Sequence, residues 1–134
     1  MFDQTAIDKY LVIQRINFVH HAGNSSGIVD GASLMLIVSK EIGEKLGLNP
    51  RAIIKMGAVI GSEPLIMLEG PIPATKKALR NANISVGDID IFEVNEAFAV
   101  VPLRLMDHLK VDHSTVNVNG GAIAMGHPLG ATVL

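Results

Sequence analysis

The sequence predicts an α/β fold in which a mixed sheet is covered by helices, and three observations carry that reading. Apolar, β-branched runs alternate with segments of helical spacing, the pattern of neighbouring strands joined through helices. Gly, Pro and Asn punctuate the junctions between them. With 134 residues, 49% hydrophobic and 18% charged, the chain is long enough to bury a core without help from a metal or a disulfide.

Residues 1–21 mix short apolar stretches with Asp3, Asp8, Lys9 and Arg15, end in His20-His21 and show no persuasive period. Residues 22–31 are small and turn-rich and lead into the apolar run 32–38, which reads as a buried strand. Residues 41–46 read as a short helix ended by Gly47, and residues 51–60 as a second strand. Gly70-Pro71-Ile72-Pro73 breaks the chain, and Pro73 suits the first turn of a helix reaching about Ala82, with Lys76, Lys77 and Arg80 on its wet face. Residues 88–94 alternate as a strand, after which Asn95 stands in a cap position and Glu96 in the first turn of a helix over 96–110, which Pro102 should bend. Residues 116–118 make a last short strand, Asn119-Gly120-Gly121 turns, and Gly126-His127-Pro128 opens a further helix of which 129–134 supply barely one turn. No internal repeat is present, and the chain reads as part of a larger domain.

Composition excludes several functions. Eleven basic and thirteen acidic residues, interspersed, give a net charge of -2 and no electrostatic footprint for nucleic acid or an anionic membrane. No apolar run approaches the roughly 18 residues that would cross a bilayer, and charges occupy the amino terminus where a signal peptide is apolar, so a soluble cytoplasmic protein is expected. The absence of cysteine removes any thiolate nucleophile, redox pair or Cys-based zinc site.

The Gly-rich stretch 119–130 superficially matches a phosphate loop, but His127-Pro128 stands where lysine and a hydroxyl residue belong, which removes the partners of phosphate and magnesium. Pro128 disfavours the α region for His127, so the imidazole is presented from irregular backbone. Its plainer reading is a helix-start histidine bonded to a neighbour, and that of Asn95 is a simple cap. The functional reading places Asn95 at the carboxyl edge of a sheet, where open α/β folds bind ligands, and lets the two side chains converge on a carbonyl oxygen as an oxyanion hole. His108 and His113, flanked by Asp107 and Asp112, lie five apart on different faces of a helix and are read as solvated rather than metal-binding. Glu93 and Glu96 have a structural reason in a helix dipole, and Met35, Met56, Met67, Met106 and Met125 are read as packing.

Longer segments carry a family resemblance. Asn117-Val118-Asn119-Gly120-Gly121-Ala122-Ile123-Ala124-Met125-Gly126-His127-Pro128-Leu129-Gly130-Ala131 closely resembles the histidine signature of thiolases, and Asn95-Glu96-Ala97-Phe98-Ala99 resembles their asparagine signature at a matching separation. Ala22-Gly23-Asn24-Ser25-Ser26-Gly27-Ile28-Val29-Asp30-Gly31-Ala32 is similar to the family's substrate loop, and Gly70-Pro71-Ile72-Pro73-Ala74 falls in the expected interval. The resemblance covers residues 22 to about 131, and residues 1–21 form a divergent amino-terminal segment. It implies a layered thiolase-like fold, present in part and ending inside the last catalytic domain.

It also implies an acyltransferase that makes or breaks the carbon-carbon bond of a 3-oxoacyl-CoA through an acyl-cysteine, with coenzyme A thioester as substrate and no cofactor or metal. By that resemblance His127 raises the nucleophilicity of the cysteine and donates to the thioester oxygen, Asn95 holds the water completing the oxyanion hole, and Ser26, Ala22, Ala97 and Phe98 match positions lining the thioester and pantetheine channel. The sequence departs from the family in ways that limit it. Both catalytic cysteines belong to family segments not found here, His20-His21 replaces a Thr-rich lead, Pro102 is unusual in its helix, and Thr132-Val133-Leu134 leaves the Gly-rich pattern. The chain alone is therefore expected to be inactive, its partners being acyl-CoA and either a homo-oligomer or a missing amino-terminal thiolase half. The alternative is a non-catalytic acyl-CoA-binding or dimerisation module.

Overall fold

Local chemistry sets the helices. The computed structural model describes residues 2–132, among which the chain forms α1 (Phe2–Lys9), α2 (Lys40–Lys45), α3 (Pro71–Ala82), α4 (Val100–Leu109) and α5 (Ala122–Met125). The α1 helix lies where the sequence shows no period, with Asp3 in its first turn and Lys9 in its last, each complementing the macrodipole. Lys9 Nζ donates to Glu63 Oε1 at 2.6 Å, which raises the lysine pKa and lowers that of the carboxyl. In α2, close to the expected span, the Ser39 hydroxyl accepts from the Ile42 N–H, and Gly47 beyond the end adopts φ +64. The α3 helix matches the expected span, with Pro73 in its first turn: Pro71 takes the N1 position, where a missing N–H is harmless, and the helix ends at Asn83 in the left-handed region.

The core forms where α3 packs on α4: Ile72, Leu105 and Leu109 are buried together, with Val86, Phe92, Val94 and Val111 partly buried around them. Arg104 Nε on α4 donates to Glu69 Oε1 at 2.9 Å just ahead of α3, fixing the two helices at that end. Against this core lies a single parallel pairing of Phe92 with Val116, in which Phe92 N–H donates to Thr115 O at 2.8 Å and Asn117 N–H to Phe92 O at 2.9 Å. Asn117 has φ 49 and cannot continue as a strand. Its side-chain amide acts as a peptide group instead, accepting from Val94 N–H at 2.7 Å and donating to Val94 O at 2.9 Å. The short turns Val86–Asp88 and His113–Thr115 at the rim of this region hold Asp88 and Asp112 below the ordinary carboxyl range, through hydrogen bonds from Ser85 and Ser114 respectively.

The sheet departs from expectation. Among the described residues there is no strand, and the pairings Ser25 with Phe98 and Phe92 with Val116 are isolated. Residues 32–38, read as a buried strand, are exposed and irregular, with Leu34 at 99% exposure, and residues 51–60 behave alike, with Val59 at 87%. The physical reason is that a strand is satisfied only by a neighbouring backbone, whatever its side chains favour, and neither segment has one. Met35, Met56, Met67 and Met125 are exposed, which corrects their reading as packing residues.

Three helix readings are corrected as well. The α4 helix begins at Val100 with Ala99 as its N-cap, so Asn95 caps nothing there. Pro102 consequently lies in the first turn, whose N–H groups have no intrahelical acceptor, and it is not an interior kink. Residues 126–128 do not open a helix: His127 follows the end of α5 and precedes one turn, in which Ala131 and Thr132 N–H both donate to Pro128 O. The Val133-Leu134 end of the divergent tail, like Met1, lies outside the described residues. Among the described residues no helix is long and apolar enough to cross a membrane.

Candidate active site

Asn95 and His127, 32 positions apart in sequence, meet. Asn95 Nδ2 lies 3.1 Å from His127 Nε2. The asparagine is carried there by the pairing of Val94 with the Asn117 amide on one side and by Glu96 on the other. Glu96 Oε1 accepts from Asn117 Nδ2 at 2.9 Å, and Oε2 accepts from the Ile123 N–H in the first turn of α5 at 3.1 Å. The dipole argument for Glu96 holds in kind, but the helix it caps is α5 and not α4. Gly121 is the close-approach position of this clip, because a Cβ there would overlap the Glu96 carboxylate.

His127 is held by the turn-rich segment near the amino end. Its N–H donates to Gly27 O at 2.8 Å, and Ser33 Oγ donates to Ala131 O at 2.9 Å. Gly126 adopts φ +93, and a Cβ there would come within 2.6 Å of Val29 Cγ1, so both the backbone turn and the close approach require glycine. The ring is half-buried, with Nδ1 2.8 Å from Thr132 Oγ1, while Asn95 is exposed. Thr132 escaped the sequence reading because it falls where the Gly-rich pattern ends, and only its spacing of five from His127 could have flagged it.

Of the remaining candidates, Ser26, Ala97 and Phe98 lie together and Ala22 stands at the exposed start of the adjoining turn, Ala22–Asn24. Ser26 N–H and Oγ each donate to Ala97 O at 3.1 Å, Ala99 N–H donates to Asn24 O at 2.9 Å, and Ser25 pairs with Phe98. The Ser26 hydroxyl is thus engaged with backbone. His21 Nδ1 accepts from Gly23 N–H and caps the turn, and the His20 ring packs on Phe98 with centroids 5.5 Å apart, which gives the divergent His20-His21 pair a structural use. Beside Asn95 and Ala97 opens a mostly apolar cleft of about 330 Å³ bordered by Met67, Pro71, Thr75 and Phe92; His127 does not line it. His108 Nδ1 sits 3.0 Å from Arg104 O and His113 begins a 3-10 turn.

Chemically, an amide and an imidazole at hydrogen-bond distance on an open surface can offer two N–H groups to one small acceptor, or a base beside a donor. No side chain of the chain can supply a thiolate.

Residues 48–133 match the model of the thiolase C-terminal domain. The chain is 54% identical over 114 residues to the 3-ketoacyl-CoA thiolase of Aliivibrio salmonicida, covering 83% of this chain and 30% of that protein, and 49% identical over 123 residues to that of Colwellia psychrerythraea, covering 90% and 32%. It thus spans about a third of the length of these relatives. Among solved structures it is similar to the Bacillus anthracis acetyl-CoA acetyltransferase, with a TM-score of 0.80 and 42% identity over 83% of this chain and 28% of that one. It is likewise similar to human mitochondrial 3-ketoacyl-CoA thiolase in complex with CoA, with a TM-score of 0.73 and 41% identity over 83% and 28%. A family-model match over more than half its length, agreeing with relatives and folds of one kind, makes this chain a member of the thiolase family.

Proposed function

We propose that the chain is the carboxy-terminal portion of a cytoplasmic thiolase-type acyltransferase acting on acyl-CoA and 3-oxoacyl-CoA thioesters, with His127 and Asn95 as its catalytic pair. The observation that carries the reading is the 3.1 Å approach of Asn95 Nδ2 to His127 Nε2. In the working enzyme His127 Nε2 takes the proton of a cysteine thiol supplied by another part of the protein, leaving a thiolate that attacks the thioester carbonyl. The imidazolium so formed points a second N–H at the amide of Asn95. Two donors face to face repel, and a carbonyl oxygen, or a water beside it, placed between them relieves the repulsion as it takes on charge.

Ser26, Ala22, Ala97 and Phe98 line the approach of the thioester and its pantetheine arm, the first through a hydroxyl that must turn from Ala97 O to meet a ligand. Residues 1–21 stand apart as a divergent segment from the thiolase-like region 22–134. Residues 32–38 and 51–60 become strands of a mixed, helix-covered sheet once neighbouring strands are supplied.

The purified chain is expected to give no thiolysis of acetoacetyl-CoA, because it has no thiol, and to gain turnover when mixed with an amino-terminal thiolase part bearing the nucleophilic cysteine. Enzyme-like turnover by the chain alone defeats the reading. The exposed apolar residues of 28–60 favour a second reading, a non-catalytic acyl-CoA-binding or dimerisation module. A concentration series by size exclusion with added CoA tests it: self-association and CoA binding, with no activity on mixing, select that module, and a monomer throughout removes its dimerisation form.

A further inference from the structure

We infer that Thr132 is a positioning residue that locks the neutral ring of His127 in the Nδ1–H form, so that Nε2 alone carries the basic lone pair.

The argument begins at a backbone carbonyl. Thr132 Oγ1 lies 2.8 Å from Pro128 O, and a carbonyl oxygen can only accept, so the single hydroxyl proton of Thr132 is directed there. Two oxygens at that separation without a proton between them would oppose their lone pairs. Pro128 O itself is fixed by the turn it closes, accepting from the N–H groups of Ala131 at 2.8 Å and Thr132 at 3.1 Å. With its proton spent, Oγ1 presents only lone pairs to His127 Nδ1 at 2.8 Å. Nδ1 must therefore be the protonated nitrogen, and in a neutral imidazole Nε2 is then an acceptor. The other end of the chain agrees: the atom of Asn95 facing Nε2 is the amide nitrogen, a donor. One directed series results, from the Asn95 amide to Nε2, from Nδ1 to the Thr132 hydroxyl, and from that hydroxyl to Pro128 O.

Because the series is closed at a carbonyl that cannot reverse its role, the ring cannot change tautomer without losing a hydrogen bond. A histidine in water prefers the opposite form, with the proton on Nε2, which would turn the lone pair away from Asn95 and from the open face of the site. The Pro128 turn thus serves two ends: it shapes the backbone around His127 and orients the hydroxyl that chooses its basic nitrogen. This deepens the acyltransferase reading, since only an unprotonated Nε2 can accept a thiol proton there. The ring geometry stands independently of turnover.

The test is nitrogen-15 spectroscopy of histidine-labelled chain in alkaline buffer, the His127 signals being identified by their loss in His127→Gln. The expected result is a protonated, pyrrole-type Nδ1 and a pyridine-type Nε2. Thr132→Val, which keeps the shape and removes the hydroxyl, is expected to move most of the population to the Nε2–H form, and Thr132→Ser to restore Nδ1–H. An Nε2–H ring in the unmodified chain overturns the inference even if the valine variant does not fold, as does an unchanged ring in a folded Thr132→Val. No thiolysis after mixing with the cysteine-bearing amino-terminal part, together with the expected spectra, would reject the acyltransferase reading and leave the tautomer assignment intact.

Discussion

Replacing His127 by alanine in the enzyme complemented with a cysteine-bearing amino-terminal part should lower kcat by about 10²- to 10⁴-fold, the range for loss of a positioned acid/base group. In the proposed mechanism one imidazole serves twice, accepting the thiol proton at Nε2 and returning it as a hydrogen bond to the thioester oxygen. Asn95→Ala removes only the second donor and should cost about 10²-fold or somewhat more, as loss of one oxyanion-hole donor does. Because the two side chains act on the same oxygen, the double variant should be little slower than His127→Ala alone. Steady-state kinetics on acetoacetyl-CoA and coenzyme A measure all three. A loss below tenfold for His127→Ala, or fully multiplicative effects in the double variant, would remove His127 and Asn95 from a shared site.

Gly121→Ala should destabilise the chain by about 2 kcal/mol or more, because either the new methyl overpacks against the Glu96 carboxylate or that carboxylate leaves its donors unpaired. The backbone itself is no obstacle, since Gly121 has φ -144, which any residue adopts. The obstruction is Glu96, which cannot swing aside while holding Asn117 Nδ2 and the Ile123 N–H. Urea unfolding of the four members of a Gly121→Ala, Glu96→Ala cycle separates the causes. With Glu96 truncated, the added cost of the alanine should fall below about 1 kcal/mol, because residues in contact are not additive. Equal costs in both backgrounds would mean that Glu96 is not what Gly121 makes room for. The same clip sets the position of Asn95, so the stability and activity predictions meet at one carboxylate.

Much of the site was legible because its residues sit in contiguous motifs. His127 follows a glycine and precedes a proline, Asn95 follows an alternating run, and both segments match family signatures without any knowledge of their distance in space. The helices α2 and α3 were legible for an equally local reason, the glycine Gly47 just beyond the end of the first and Pro73 in the first turn of the second. The start of α4 was misread because Asn95 and Glu96 have the chemistry of a helix start, yet their side chains are taken by distant groups, His127 for one and Asn117 with Ile123 for the other. The α1 helix was missed because eight residues with a charge at each end carry little period.

What the sequence determined by itself was therefore the short-range part: which segments turn, which coil into helices, and which side chains stand in the family's signature segments. Tertiary structure alone decided that Asn117 pairs with Val94 in place of a strand, that Glu96 caps α5, that Thr132 holds His127, and that residues 32–38 and 51–60 stay unpaired. The division follows from range. Caps, turns and helical hydrogen bonds close within about five residues, whereas strand pairing and side-chain networks depend on which backbone arrives from elsewhere, and composition does not encode that arrival.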